Sequence, residues 1–177
     1  LDSAFNANVP HQAIVKVDAV SGNLTSGSEF SLGQNGLAEL SVAQPDGKIL
    51  VGGFFSQAGG RNRHHIARFN ADGTIDAGFL EGTGSGPDSS VFALAVQPDG
   101  KILVGGDFLF MNSISRGKIA RLNDDGTIDD AFMTSPRAGA NGTVKSILLI
   151  GSDIVISGHF STFDGTGPND NQVLRIA

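Results

Sequence analysis

Apolar residues along this chain fall in short runs cut by turn residues, and the runs recur in the same order. Val91–Gln97 (VFALAVQ) and Lys101–Gly106 (KILVGG) flank the triplet Pro98-Asp99-Gly100. Pro presets φ, Asp tolerates the bend and Gly supplies the positive φ that closes it, so the two runs predict a β-hairpin. Their near-continuous apolarity, in place of clean alternation, predicts strands covered on both faces. Gly105 and Gly106 carry no side chain, which suits close approach by an adjacent sheet. Ile119–Asn123 (IARLN) predicts a third strand, Asp124-Asp125-Gly126 a turn, and Thr127–Phe132 a short fourth strand anchored by Phe132. No window combines a 3.6-residue period with helix caps, so helix is nearly absent from the prediction.

The same pattern stands elsewhere in the chain. Ser41–Phe55 (SVAQPDGKILVGGFF) matches Leu94–Phe108 (LAVQPDGKILVGGDF), and His65–Phe79 (HIARFNADGTIDAGF) matches Lys118–Phe132 (KIARLNDDGTIDDAF). Both pairs keep one offset of 53 positions, Pro45 to Pro98 and Arg68 to Arg121. A looser third copy, Ile147–Phe160 (ILLIGSDIVISGHF), has the shorter turn Gly151-Ser152-Asp153. Ile14–Phe30 reads as a third-and-fourth-strand pair without its hairpin, with Lys16 at the place of Arg68, Arg121 and Arg175. Leu1–Phe5 (LDSAF) resembles Ile128–Phe132 (IDDAF) and is expected to complete the last unit by strand exchange. Copies at a fixed spacing are supersecondary units that stack on their neighbours. The expected organisation is a partial unit over 1–35 and units over 36–79, 80–132 and 133–177, the last completed by 1–5.

Composition narrows the class. With 177 residues, 40% hydrophobic and 17% charged, the chain is globular, and its 25 glycines suit a fold of many tight turns. A net charge of −6 without a basic stripe argues against nucleic acid and anionic lipid as partners. The lack of cysteine rules out disulfides and thiolate zinc sites. No apolar run reaches the roughly 18 residues of a membrane helix, so no membrane insertion is expected. Leu1 in place of an initiator Met suggests a processed or excised segment.

Taken together, VQPDGKILVGGDF, IARLNDDGTIDDAF and the connecting FLEGTGSGPDSSV resemble the bacterial delta-sixty repeat, a β-propeller-like domain of unknown function. The resemblance covers 36–177 well and 1–30 in part. It implies a segment of a large secreted or surface-attached protein, some members resembling fibre or adhesin modules. It attaches no catalytic residue to the repeat, and none is carried over.

Each candidate for chemistry also has a plain structural role. Asn70–Asp76 and Asn123–Asp129 resemble the middle of a calcium loop, which makes Asp72, Asp76, Asp125 and Asp129 weak metal candidates. The first ligand position is an arginine and no closing Glu follows, so the turn reading is preferred and no metal or cofactor is expected. His64-His65 and His159 lack zinc-ligand spacing. Gly82–Gly86 (GTGSG) precedes a strand, not a helix, and reads as a loop, not a phosphate cradle. No GxSxG elbow or other catalytic motif appears, and the protein is expected not to be an enzyme. The recurrent arginines are expected to pair with Asp residues of neighbouring turns. Phe54, Phe55, Phe108, Phe110, Phe160 and Phe163 are expected to fill space between sheets.

The expected fold is therefore all-β, a β-propeller-like repeat of about three four-stranded units of ~53 residues. The expected function is non-enzymatic recognition or adhesion at a surface, on the tip or a segment of a bacterial fibre, secreted or at the cell surface. The alternative is a purely structural spacer. Ligand contacts are expected on the loops that differ between copies, Ser56–His65, Leu109–Lys118 and Ser161–Gln172. Their candidate residues are Arg61, His64, His65, Asn112, Arg116, His159, Asp164 and Asn169. The expected partner is a surface glycan or protein, with the chain either a homo-oligomer (a trimer on a fibre) or part of a longer array.

Overall fold

The computed structural model describes residues 14–82, 86–133, 139–163 and 173–176. Leu1–Phe5, Asp164 and Asn169 lie outside them. Every regular element in the described part is a strand. A hairpin, β1 (Ile14–Val17) and β2 (Leu24–Phe30), comes first. The first main sheet follows with β3 (Leu37–Ala43), β4 (Ile49–Phe54), a small hairpin β5 (Gln57–Ala58) and β6 (Arg61–Asn62), then β7 (Ile66–Phe69). The second has β8 (Val91–Val96), β9 (Ile102–Gly106), the small hairpin β10 (Phe110–Met111) and β11 (Ile114–Ser115), and β12 (Ile119–Leu122). The third has β13 (Thr143–Ile150), β14 (Asp153–His159) and β15 (Val173–Ile176). In each main sheet the middle strand pairs antiparallel with both others: β3-β4-β7, β8-β9-β12 and β13-β14-β15.

The hairpin turns do what their residues dictate. Gln44 N donates to Lys48 O and Gly47 N to Gln44 O, and Gln97, Lys101 and Gly100 repeat the bonds. Asp46 and Asp99 brace the turns by accepting from the amides of Lys48 and Lys101. The same Asp-Gly device closes the second turn of each copy, where Asp72 and Asp125 accept from the amide and hydroxyl of Thr74 and Thr127.

The expected fourth strand is not a ladder. Thr127–Phe132 contributes one bridge, Leu122 to Ile128, matched by Phe69 to Ile75 in the first copy. Beyond it the backbone turns: Asp129 N donates to Arg121 O and Phe132 N to Asp129 O. Each main sheet also carries one bulge that sequence reading did not anticipate, at Glu39, Phe92 and Lys145.

The main sheets stack in chain order. Leu50 and Ile66 of the first pack with Phe79, Leu80, Val91, Leu94, Ile102 and Val104 in one core. Leu103 and Ile119 of the second pack with Phe132, Val144, Ile154 and Ile156 in the next. The opposite face of the first sheet is covered by Phe30 and Leu32. Gly52 and Gly105 make the approach possible: a Cβ there would lie 2.6 Å from Val91 Cγ1 and 2.7 Å from Val144 Cγ1, atoms of the following sheet. The close approach expected at Gly105 is therefore present. Gly106 instead lies against Ser90 O of its own hairpin, at the bulge.

Candidate functional site

Two repeated constellations of charge hold this stack. In the first copy Arg68 Nε donates to Asp76 Oδ2 at 2.8 Å, with Lys48 Nζ at 3.2 Å from the same oxygen. In the second, Arg121 and Lys101 hold Asp129 at 2.8 and 2.9 Å. Each guanidinium lies over a phenylalanine, Arg68 over Phe79 at 4.6 Å and Arg121 over Phe132 at 4.7 Å. Arg68 also crosses to the next copy, its Nη1 donating to Asp124 O and, at 2.8 Å, to Asp124 Oδ1, with Gln44 alongside. Burial opposes ionisation of Asp76, but hydrogen bonds from Arg68 and Lys48 outweigh it and its pKa falls. The hydrogen bond from Lys101 leads the same lowering at Asp129. The weak metal candidates are thus turn braces (Asp72, Asp125) and ion-pair partners (Asp76, Asp129). Among the described residues no cluster of metal-ligating side chains forms.

Arg63 and Arg116 form the second repeated constellation, both buried. Arg63 Nη1 donates to Asn62 O and Nη2 to Phe79 O at 2.8 Å. Arg116 donates likewise to Ser115 O and to Asp130 Oδ1. Each clamps the end of a small hairpin to the segment that leaves the third strand, so Arg116 serves the frame at this place.

The remaining candidates sit on or beside the small hairpins, which the structure brings to one edge. Their tips, Gly59-Gly60 and Asn112-Ser113, have positive φ at both residues, as a two-residue hairpin of this twist demands. Asn112 accepts from Gly86 N at 3.1 Å and donates to Gly126 O, fixing the linker between copies. Arg61 is exposed on β6 and His159 is exposed at the end of β14. His65 and Lys118 share one repeat position, each with positive φ. Lys118 pairs with Asp107 at 2.9 Å, whereas His65 lies against the ring of Phe54 at 5.4 Å. Burial lowers the pKa of His65.

Between the first and second copies these pieces enclose an open groove of about 410 Å³, lined by His64, Gly86, Pro87, Asp88, Phe110 and Ser113. The linker can lie this close because Gly86 has no side chain: a Cβ would sit 2.3 Å from His64 O. Gly139 stands equally close to Gly117 O at the next boundary. Asp88 Oδ1 accepts from the amides of Leu109 and Phe110, both at 2.9 Å. Asn141 Oδ1 does the same for Ser161 and Thr162. Sequence reading missed this cap, although Asp88 and Asn141 recur at the repeat spacing. The matched caps also align the two boundaries: His64, Asp88 and Phe110 at the first correspond to Gly117, Asn141 and Thr162 at the second. Of the phenylalanines expected between sheets, Phe55, Phe108 and Phe160 are buried. Phe54 and Phe110 are instead exposed at 53% and 45%, and Leu109 and Ile114 are exposed as well.

Residues 44–79 and 97–132 each match the family described as Domain of unknown function (DUF5122) beta-propeller. No curated protein matches the chain. Fold and matched stretches together define an all-β repeat protein of the propeller type.

Proposed function

We propose that this chain is a non-enzymatic recognition module that binds a surface glycan in the groove between its first two copies, within a secreted or cell-surface protein. The observation that carries this reading is the contrast between frame and groove. The arginine–aspartate pairs, Asp-Gly turns and hairpin caps recur at the same places in successive copies. At the groove, His64, Asp88 and Phe110 replace Gly117, Asn141 and Thr162. An exposed aromatic ring beside a carboxylate and an imidazole suits a sugar, whose apolar face stacks while its hydroxyls bond. The carboxylates of the repeats are engaged by cations and amides, which suits support better than acid–base work. The finer reading, a bacterial delta-sixty array displayed on a fibre, rests on the sequence resemblance.

A glycan array probed with the intact chain and with His64→Gly/Phe110→Thr tests the assignment. Binding by the parent and its loss in the double variant, with unchanged Tm, is the expected result. A bound glycan that ignores both substitutions places recognition elsewhere. The clamp from Arg68 to Asp124 favours a second reading, a structural spacer, which predicts silence on the array from both proteins.

A further inference from the structure

The two hairpin caps do one structural task with different charges. Asp88 Oδ1 accepts from the amides of Leu109 and Phe110, both at 2.9 Å. Asn141 Oδ1 accepts from those of Ser161 and Thr162 at 2.9 and 3.0 Å. A neutral amide thus makes the same cap, which has no need of the charge that Asp88 brings.

The second polar atom of each side chain marks the difference. Asn141 Nδ2 donates to Ser161 Oγ at 3.0 Å, which commits the whole side chain to the frame. Leu109 stands where Ser161 does and offers no hydroxyl. Among the described residues no donor reaches Asp88 Oδ2, since both amides fall on Oδ1. Asp88 also enters no ion pair among them, whereas Asp76, Asp107 and Asp129 are each held by a lysine. Asp88 is exposed, and it lines the groove together with the exposed Phe110.

The surroundings do not offset that charge. Where Lys118 pairs with Asp107 in the second copy, the first has His65 against Phe54. Burial favours the neutral form of the His65 ring. Arg63, next to His64 of the groove, directs its donors to the carbonyls of Asn62, Ala77 and Phe79. The chain as a whole carries a net charge of −6, so its field favours a cation. An ammonium group answers both features, because it donates to a carboxylate oxygen and is attracted to the face of a ring. The protein makes the second contact with its own Lys145, whose Nζ lies 3.3 Å from the centre of the Phe92 ring. We propose that the groove selects an amino sugar, the unacetylated ammonium of a glucosamine-type residue donating to Asp88 Oδ2 while the sugar face stacks on Phe110.

This inference rests on the glycan reading of the groove and narrows it to one class of sugar. Calorimetric titration with the tetrasaccharides of glucosamine and of N-acetylglucosamine tests it, at a pH where the amine is protonated and Asp88 ionised. The free amine should bind on the order of ten-fold more tightly than the acetylated sugar. Asp88→Asn keeps the cap acceptor that Asn141 provides at the other boundary, so Tm should hold while the preference disappears. Phe110→Thr should weaken both sugars. Glu39→Gln removes one exposed charge outside the lining of the groove and should change neither. Equal binding of the two sugars, or a preference that survives Asp88→Asn, overturns the ammonium assignment. An equal loss in Glu39→Gln overturns it too, by showing attraction to net charge alone. If neither sugar binds while other glycans on the array do so through Phe110, the amino-sugar assignment fails and the glycan reading stands. A silent array removes both.

Discussion

At the residue scale, stability rests on carboxylates whose charge the fold favours. Asp129 has only 8% of its side chain exposed and is held by Lys101 and Arg121. Its folded pKa is depressed, so its contribution is present above the unfolded value of about 3.9 and disappears as pH falls through the folded value. Asp129→Asn should cost on the order of 3 kcal/mol at pH 7, because it leaves two cations facing a neutral amide, and should flatten the acid limb of a urea-midpoint titration below about pH 4. An unchanged acid limb would mean that other carboxylates govern acid unfolding. His65 has a dependence of the same sign in a higher pH window. Burial depresses its pKa, so the folded state prefers the neutral ring and loses stability as pH falls below the unfolded value near 6.5. His65→Asn keeps a residue that tolerates the observed positive φ and removes the titrating group. Stability between about pH 5 and 7 should then become flat, measured as Tm against pH.

At the element scale, Gly105 and Ser157, which share one rung of the middle strands, predict different tolerances. Gly105→Val should cost about 1–3 kcal/mol, since its first side-chain atom already meets Val144 and Ile147 of the next sheet. Ser157→Gly, on the same rung of the third sheet, should cost less than about 1 kcal/mol. Thermal unfolding of the two variants checks the contrast, and equal losses would mean that the approach of the third sheet does not require glycine at position 105. These hairpins were legible in the sequence because Pro-Asp-Gly and the flanking apolar runs specify both turn and strands locally. The fourth strand was misread for a physical reason. Ile128 and Thr127 favour strand, but Asp129 is drawn into the arginine pair and its amide closes a turn onto Arg121 O. The bulges were illegible because Glu39, Phe92 and Lys145 share no chemistry, only a place in the ladder. The groove was half legible: divergence between copies pointed to His64 and the hairpin containing Phe110. Asp88 lies in a linker, and only its recurrence as Asn141 would have signalled the cap.

At the scale of the whole molecule, the question is whether the stacked sheets unfold as one. In a repeat stack, cooperativity depends on nearest-neighbour interfaces more than on the units themselves. The first interface is joined by Phe79, which is fully buried, and by the Arg68–Asp124 clamp, in which Arg68 is 5% exposed. The second includes Phe132 in its core, while the side chain of Arg121 is 19% exposed and makes its ion pair within its own copy. Phe79→Ala should therefore cost about 3–5 kcal/mol, and most of that loss falls on the coupling between the first sheet and the other two. Hydrogen exchange separates loss of coupling from uniform weakening. With the interface intact, the core amides of β4, β9 and β14 should exchange through one global opening. In Phe79→Ala those of β4 and β7 should exchange faster than those of β9 and β14, because the first sheet can now open while the others stay packed through Phe132. If all three sheets accelerate together, the stack is a single cooperative unit held by more than its boundary phenylalanines, and the interface picture of its stability is wrong.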